Sequence, residues 1–194
     1  MTLLLAQIAW IALVPALPLL AAILTATLGA RYLKKLSHWP VLAATAASLL
    51  ISLMLLVDTS QKTQEGEQQA GEAKTVTLWS WVHVEEAQPT NDLVIDVALR
   101  VDGLTVVMLT MVTFISLLVT VFSVGYMHDD RGYWRFFSYL GLFIFSMTML
   151  VSVNNFLLLF VFWEAVGMCS YLLIGFWYEK PAAAAAGKKA WVTR

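Results

Sequence analysis

Five long apolar runs, separated by polar or charged connections, dominate the pattern along the chain. An α-helix needs about 20 apolar residues to cross a hydrocarbon core about 30 Å thick, and the shortest spans have about 17. The pattern therefore predicts an all-α polytopic membrane protein with about five transmembrane helices. These cover approximately Leu3 to Ala30, Val41 to Val57, Leu104 to Met127, Phe136 to Val153, and Phe156 to Tyr178.

The first run differs from a secretory signal peptide in two respects. No Lys or Arg precedes it, and its apolar stretch is longer than the core of a signal peptide. Pro15 and Pro18 lie in its interior, where their missing N–H groups are expected to kink the helix. We therefore predict a kinked spanning helix, and residues 1–57 form a unit of two N-terminal transmembrane helices.

The longest connection, residues 58–103, has two parts. Its first part, DTSQKTQEGEQQAGEAKT, is polar and rich in Gln, Glu and Gly, which predicts a mobile loop. The segments TVTLWSWVHV and DLVIDVALRV follow, separated by EEAQPTN, and they predict a short antiparallel β-hairpin. The second segment alternates strictly, which is typical of a half-buried strand. Its apolar side comprises Leu93, Ile95, Val97, Leu99 and Val101.

The positions of the basic residues predict the orientation of the helices. Bases cluster in alternate connections and after the fifth run, and the positive-inside rule places these segments in the cytoplasm. The N-terminus and the hairpin are then outside, in what we expect to be a bacterial plasma membrane. The basic residues are Arg31, Lys34, Lys35, Arg131, Arg135, Lys180, Lys188 and Lys189.

Composition agrees with a membrane protein and excludes several other classes. The chain is 60% hydrophobic and 13% charged, and its mean hydropathy is +0.75, which is too apolar for an ordinary soluble domain. A net charge of −1 gives no basic surface for nucleic acid. The sequence contains neither a GxGxxG nor a phosphate-loop motif, so we expect no bound cofactor.

The cysteine and histidines do not form a metal site in the sequence. Cys169 is the single cysteine and lies within an apolar run, where a free thiol usually serves as a small packing residue. His38, His83 and His128 lie in three different connections without ligand partners at useful spacing, so we interpret them as interfacial polar residues. We therefore expect no bound metal.

Glu164 is an acid inside the fifth apolar run. It lies about eight residues from the outer end, which places it roughly 12 Å along the helix. A charge at such depth costs at least about 2.5 to 3.5 kcal/mol on insertion scales unless it is paired, hydrated or protonated. Helical spacing puts Gly167, Met168, Tyr171 and Gly175 on its face. This face of small or polar residues is expected to point into a helix bundle or a hydrated path.

Two roles are open for Glu164. Burial raises the pKa of a carboxyl and a nearby Lys lowers it, so a group held between these effects can relay protons when the partner moves. The alternative is a structural clamp that joins two helices through a hydrogen bond or an ion pair. The other acids and bases of the sequence fall near membrane edges, so a charged partner is expected from residues beyond Arg194 or from another subunit.

The C-terminal stretch FWEAVGMCSYLLIGFWYEKPAAAAAGKKAWVTR resembles a signature of the subunit L family of proton-pumping NADH:quinone oxidoreductase, respiratory complex I. This family includes the fifth mitochondrially encoded subunit. LRVDGLTVVM and YMHDDRGYWRFFSYLGLFIFSM are similar to two further stretches of it. The likeness runs from about residue 76 onward, and the earlier residues match in topology. Residues 104–194 are then three transmembrane helices and the start of a sixth, within the N-terminal part of a longer antiporter-like bundle.

The resemblance implies a subunit of a proton translocase. The acid at Glu164 would pair with a lysine on a later helix, with Gly167, Tyr171 and Gly175 as its supporting face. No redox site is expected in this chain, since NADH, FMN, iron–sulfur clusters and quinone would bind to other subunits. Its partners would be other membrane-arm subunits and the lipid bilayer. Lys188, Lys189 and Arg194 are expected to form a basic cytoplasmic cap.

Two alternative functions stay open at this point. Related multisubunit sodium/proton antiporters carry the same motif without a redox partner. A third possibility is a structural element of the membrane arm with no ionic path.

Overall fold

The computed structural model describes residues 2–64, 74–88 and 91–193. Six α-helices and one antiparallel pair of strands make up this part of the chain. The helices are α1 (Thr2–Leu28), α2 (His38–Gln64), α3 (Gly103–Tyr126), α4 (Tyr133–Ser152), α5 (Phe156–Ile174) and α6 (Pro181–Val192), and the strands are β1 (Lys74–Gln88) and β2 (Asn91–Val101).

Five helices of this region are long and apolar enough to cross a membrane. Their spans are Trp10–Leu36, His38–Gln61, Gly103–Tyr126, Tyr133–Ser152 and Phe156–Ile174. This confirms the predicted fold class of a multi-pass helical membrane protein with one small two-stranded sheet. The first span includes a π-helical turn (Gly29–Leu33) and a 3₁₀ turn (Lys34–Leu36), which connect α1 to α2.

Two helix ends differ from the sequence prediction. α2 continues to Gln64, beyond the predicted end at Val57. The hydroxyls of Thr59 and Ser60 donate to carbonyls of the preceding turn and so remain compatible with helix. The remainder of the predicted mobile loop, residues 65–73, lies outside the described residues. α5 ends at Ile174 instead of Tyr178, because the chain turns at Gly175 before α6 begins at a proline.

The predicted hairpin is present and its strands are longer than expected. Lys74 lies opposite Val101, and Gln88 lies opposite Asn91. The connecting residues 89 and 90 lie outside the described residues. Val97 and Leu99 are buried, as the alternation predicted, but Ala98 on the other side is also buried. β2 contacts α1, α3 and α4.

α3 begins at a capping residue that also anchors the hairpin. The Asp102 carboxylate accepts a hydrogen bond from the N–H of Thr105 (2.7 Å) and lies 2.8 Å from the guanidinium of Arg100. The Thr105 N–H is the main reason why the pKa of Asp102 is lowered, and Arg100 contributes. The acid therefore favours its ionised form at the N-terminus of α3, where negative charge is stabilised.

The helices pack around two apolar clusters. α1 contacts α2 and α4, α2 contacts α3, and α5 lies between α4 and α6. One cluster forms around Phe137 and Ile144, and the other joins Leu99 of the hairpin to the helices. α1 and α4 approach closely at Gly141, where an added Cβ would lie 3.1 Å from the Cβ of Ala22.

The prolines of α1 lie within a continuous helix, and a neighbouring helix compensates for one of them. Pro18 has no N–H to donate to the carbonyl of Val14, four residues earlier. The hydroxyl of Ser48 on α2 donates to that carbonyl at 2.9 Å, and this hydroxyl is buried. A side chain from α2 thus replaces the backbone hydrogen bond that Pro18 removes.

Candidate functional site

The N-terminal end of α5, the helix that carries Glu164, is attached to the hairpin. Asn155 caps the helix by accepting the N–H of Leu158 (2.8 Å), and its amide donates to the carbonyl of Asp96 (2.7 Å). The N–H of Asn154 donates to the carbonyl of Ala98 (3.1 Å). The turn that contains these two asparagines is thus attached to β2, which sets the position at which α5 begins.

The other end of α5 is attached to the connection between α3 and α4. Asp130 accepts hydrogen bonds from the indole N–H of Trp177 and the backbone N–H of Gly132, both at 2.7 Å. The Trp177 hydrogen bond is the largest cause of the lowered pKa of Asp130. Arg135 donates to the carbonyl of Phe176 (3.2 Å), and its guanidinium lies 4.8 Å from the centre of the Phe176 ring. α5 is thus held at both ends.

Glu164 lies in the middle of α5, and its side chain is exposed on the surface of the isolated chain. Met168 and Tyr171 of the same face are also exposed, whereas Gly167 is buried and Gly175 is half-buried. The face expected from helical spacing therefore lies only partly against the described helices. The sheltered surroundings of Glu164 and its relay role stay predictions.

The far end of this face is where α6 packs. A Cβ added to Gly187 would lie 3.3 Å from the Cα of Gly175 and 3.6 Å from the Tyr171 ring. The rings of Tyr171 and Trp191 meet edge to face, with centroids 6.0 Å apart. Small residues on both helices permit this approach. The structure thus brings Tyr171 and Gly175 together against α6, while Glu164 lies about two turns away from Tyr171 on the same helix.

An open groove of about 510 Å³ follows the same face between α5 and α6. Lys188 lines it, although its position in the sequence predicted only a basic cap. The missed signal is the spacing within α6, since positions 188, 191 and 192 fall on one side of a helix. A cation thus lies beside the face of Glu164. The lining residues are Met168, Tyr171, Lys188, Trp191 and Val192.

The other polar residues considered from sequence occupy separate places. Cys169 is a free, buried thiol. His38 lies at the start of α2 and its Nδ1 is 2.9 Å from the hydroxyl of Tyr133. His128 is exposed beside Asp129, and the His83 side chain lies outside the described part. Within the described residues, no group of three His, Cys, Asp or Glu side chains is arranged to hold a metal ion.

Comparison with known protein families identifies two matching regions. Residues 88–137 match the family model described as NADH-ubiquinone oxidoreductase (complex I), chain 5 N-terminus. Residues 153–194 match the model described as NADH:quinone oxidoreductase/Mrp antiporter, TM. The chain belongs to the complex I subunit 5/subunit L family. The second match contains α5 with Glu164, so the candidate site lies in the antiporter-like region of this family.

Similar members of this complex I family occur in chloroplasts and bacteria. The chain is 38% identical over 193 residues to NAD(P)H-quinone oxidoreductase subunit 5 of Mesostigma viride, covering 96% of this chain and 27% of that protein. It is 40% identical to the chloroplast NAD(P)H-quinone oxidoreductase subunit 5 of Anthoceros angustus, and the alignment covers 96% of this chain and 24% of that protein. It is 38% identical to NADH-quinone oxidoreductase subunit L of Rickettsia typhi, and the alignment covers 91% of this chain and 25% of that protein.

These alignments extend the resemblance seen in the sequence. They cover nearly the whole chain, so the likeness also includes most of the residues before position 76. The chain spans about a quarter of the length of these relatives. All three relatives are named as quinone oxidoreductase subunits, and this does not favour the sodium/proton antiporter alternative.

Proposed function

We propose that the chain is part of a proton-translocating membrane-arm subunit of NADH:quinone oxidoreductase, with Glu164 as a proton relay. The observation that carries the proposal is an acid in the middle of a spanning helix that is attached at both ends, in a chain of the subunit L family. NADH oxidation and quinone reduction would occur in other subunits of the complex. The membrane would be the bacterial plasma membrane, with the N-terminus outside the cytoplasm.

The surroundings of Glu164 determine how it would work. Exposed to lipid, the ionised form would cost several kcal/mol, so the assembled protein has to supply neighbouring helices, water or a cation. A cation that approaches favours the ionised carboxylate, and its withdrawal favours the protonated form. The acid then releases and takes up a proton in step with the movement of its partner. Attachment of both ends of α5 supports this role, because a fixed carboxyl lets the partner's movement control protonation.

The groove between α5 and α6 supports a polar route along the same face. Tyr171 lies seven positions after Glu164, which is roughly 10.5 Å along the helix. Its hydroxyl is able to donate and accept hydrogen bonds, and Lys188 lines the groove beside it. We propose that Tyr171, with the small residues Gly167 and Gly175, forms the supporting face that lets water and α6 approach the acid.

The proposal is tested by Glu164→Gln in the complete, assembled complex. Glutamine keeps the size and hydrogen-bonding capacity of the side chain but does not ionise, so proton pumping coupled to quinone reduction is expected to fall to the level of uncoupled membranes. Pumping is measured by a pH-sensitive dye in inverted vesicles, with assembly checked on native gels. Glu179→Gln, an exposed acid after α5, is the matched control and should pump normally.

The outcomes separate a relay and a clamp at Glu164 from a structural element with no ionic path. If the Glu164→Gln complex pumps at the wild-type level, Glu164 is not a relay, and the chain would be a structural element of the membrane arm. A complex that does not assemble would indicate a clamp between helices. In that case Glu164→Asp, which keeps the charge on a shorter side chain, should restore assembly.

A further inference from the structure

Three basic side chains meet at the membrane edge where the α1–α2 connection approaches the start of α4. Lys34 and Lys35 belong to the connection, and Arg131 precedes α4; all three are exposed. Together they line a cavity of about 390 Å³. In the described part of the chain, no ion pair joins any of the three to a carboxylate. Their positive charge is thus available to a ligand.

The backbone around this cavity is held by specific contacts. Gly29 lies against Trp134 so closely that an added Cβ would be 2.8 Å from the Trp134 Cβ. The hydroxyl of Ser37 donates to the carbonyl of Lys34 at 2.7 Å. Lys34 itself has φ of 41°, a region that glycine favours and other residues rarely adopt. The connection is therefore fixed against α4 with its two lysines beside Arg131.

The acids at the same cavity do not cancel this charge fully. Asp130 uses its two oxygens for Gly132 and Trp177, and Asp129 lies beside His128 with 96% of its side chain exposed. Two carboxylates thus stand against three permanent cations. The cavity carries a net positive charge, which is complementary to a phosphate group.

We propose that this cavity binds the headgroup of an anionic phospholipid. It lies where spanning helices end, and basic pockets at that level are suited to anionic headgroups. Tyr32, in the same connection, and Trp39, in the first turn of α2, are 78% and 58% exposed. Such aromatic side chains favour the interface between headgroups and hydrocarbon. They favour a lipid over a soluble phosphate or an acidic protein segment. The lipid would link the α1–α2 connection to α4 at the membrane surface.

The test uses the full-length subunit in its assembled complex, reconstituted into phosphatidylcholine vesicles that contain a photoactivatable phosphatidylglycerol. Cross-linked peptides are mapped by mass spectrometry. Labelling is expected in residues 29–35 and 128–134, several-fold above that obtained with a photoactivatable phosphatidylcholine. The double variant Lys34→Gln/Lys35→Gln should lower it several-fold, and Lys34→Arg/Lys35→Arg should retain it. The control Lys188→Gln/Lys189→Gln changes a second exposed lysine pair and should leave it unchanged.

Each other outcome overturns the proposal. Equal labelling by both lipids would mean that the cavity does not recognise the anionic headgroup. Loss of labelling in excess inorganic phosphate, with ionic strength matched by chloride, would assign the cavity to a free ion. Cross-links from these residues to a neighbouring protein chain in place of lipid would assign it to a subunit contact. If the glutamine variant does not assemble, the comparison of the two lipids on the unmodified complex decides the question.

Discussion

Asp130 shows how one side chain couples two connections that are distant in sequence. Its carboxylate joins the α3–α4 connection to Trp177, which follows α5 and lies 47 residues away. Trp177 in turn precedes α6, so the position of the Glu164 helix depends on this contact. A single acid thus positions the end of α5 that lies next to α6.

We expect Asp130→Asn to destabilise this end of the bundle by about 0.5–1.5 kcal/mol, the usual net contribution of a hydrogen bond, because water reaches the Trp177 donor. The measurement is the unfolding midpoint of the purified full-length subunit in detergent. Asp129→Asn is the matched control and should change the midpoint little, since that side chain is 96% exposed. Equal effects of the two substitutions would show that the Trp177 contact does not stabilise the fold.

The lowered pKa of Asp130 also predicts a pH dependence. Folding favours the ionised carboxylate, so its contribution to stability is complete above the ordinary Asp pKa of 3.8 and is lost as pH falls through the lower folded-state pKa. The difference in unfolding midpoint between wild type and Asp130→Asn should therefore be full at neutral pH and shrink in acid below 3.8. A difference that stays constant into strong acid would contradict ionisation as its source.

Residue-level chemistry was only partly predictable from sequence. Glu164 is evident because an acid interrupts an apolar run, and this signal is local. The partners of Asp130 and Asn155 are 47 and 59 residues away, and no local pattern indicates them. Lys188 was likewise assigned to the membrane edge, because its approach to α5 depends on the Gly175–Gly187 contact between helices.

At the level of elements, α1 depends on α2 to remain a continuous helix. Pro18 leaves the carbonyl of Val14 without its backbone donor, and the buried hydroxyl of Ser48 supplies another. A buried carbonyl without a partner is costly. The position at which the sequence predicted a kink is therefore a site of contact between α1 and α2. The contact from α2 is made by the hydroxyl of Ser48, a polar group within an apolar helix surface.

This contact predicts a thermodynamic cycle. Ser48→Ala should destabilise the chain by about 1–3 kcal/mol, because it leaves the Val14 carbonyl unsatisfied. In a Pro18→Ala background the restored N–H bonds that carbonyl, so the same substitution should cost much less. Unfolding midpoints of the four proteins measure the coupling. Ser52→Ala is the control, since its hydroxyl donates within its own helix. Additive effects would contradict the proposed replacement.

The elements themselves followed closely from periodicity. The alternation through Val97 and Leu99 correctly indicated a strand, and apolar length indicated the five spans. The ends of α2 and α5 were less predictable, since Gln and Lys after Val57 favour helix while their polarity suggests a loop. The burial of Ala98 was missed because β2 is also contacted by helices that are distant in sequence.

For the whole molecule, the uneven burial of the spans is informative. In the apolar window of α4, 50% of residues are buried, compared with 17% in that of α5. α4 is thus central among the described helices and α5 is peripheral, although α5 carries the intramembrane acid. The proposed relay requires that α5 be covered in the assembled complex, as an exposed carboxylate in hydrocarbon is unstable.

The arrangement of helices also predicts which connections share a side of the membrane. The hairpin joins α2 to α3 and contacts the α4–α5 turn, whereas the basic connections meet at the opposite ends of the same helices.

In a Cys169→Ser background, Thr77→Cys and Asp129→Cys place a thiol at an exposed position on each side. A membrane-impermeant maleimide should label position 77 in right-side-out vesicles and position 129 in inverted vesicles, as measured by mass shift. The reverse pattern would overturn the orientation derived from the basic residues, and labelling of both positions from one side would contradict the spans themselves. Detergent-permeabilised vesicles are the control, because both thiols should then react.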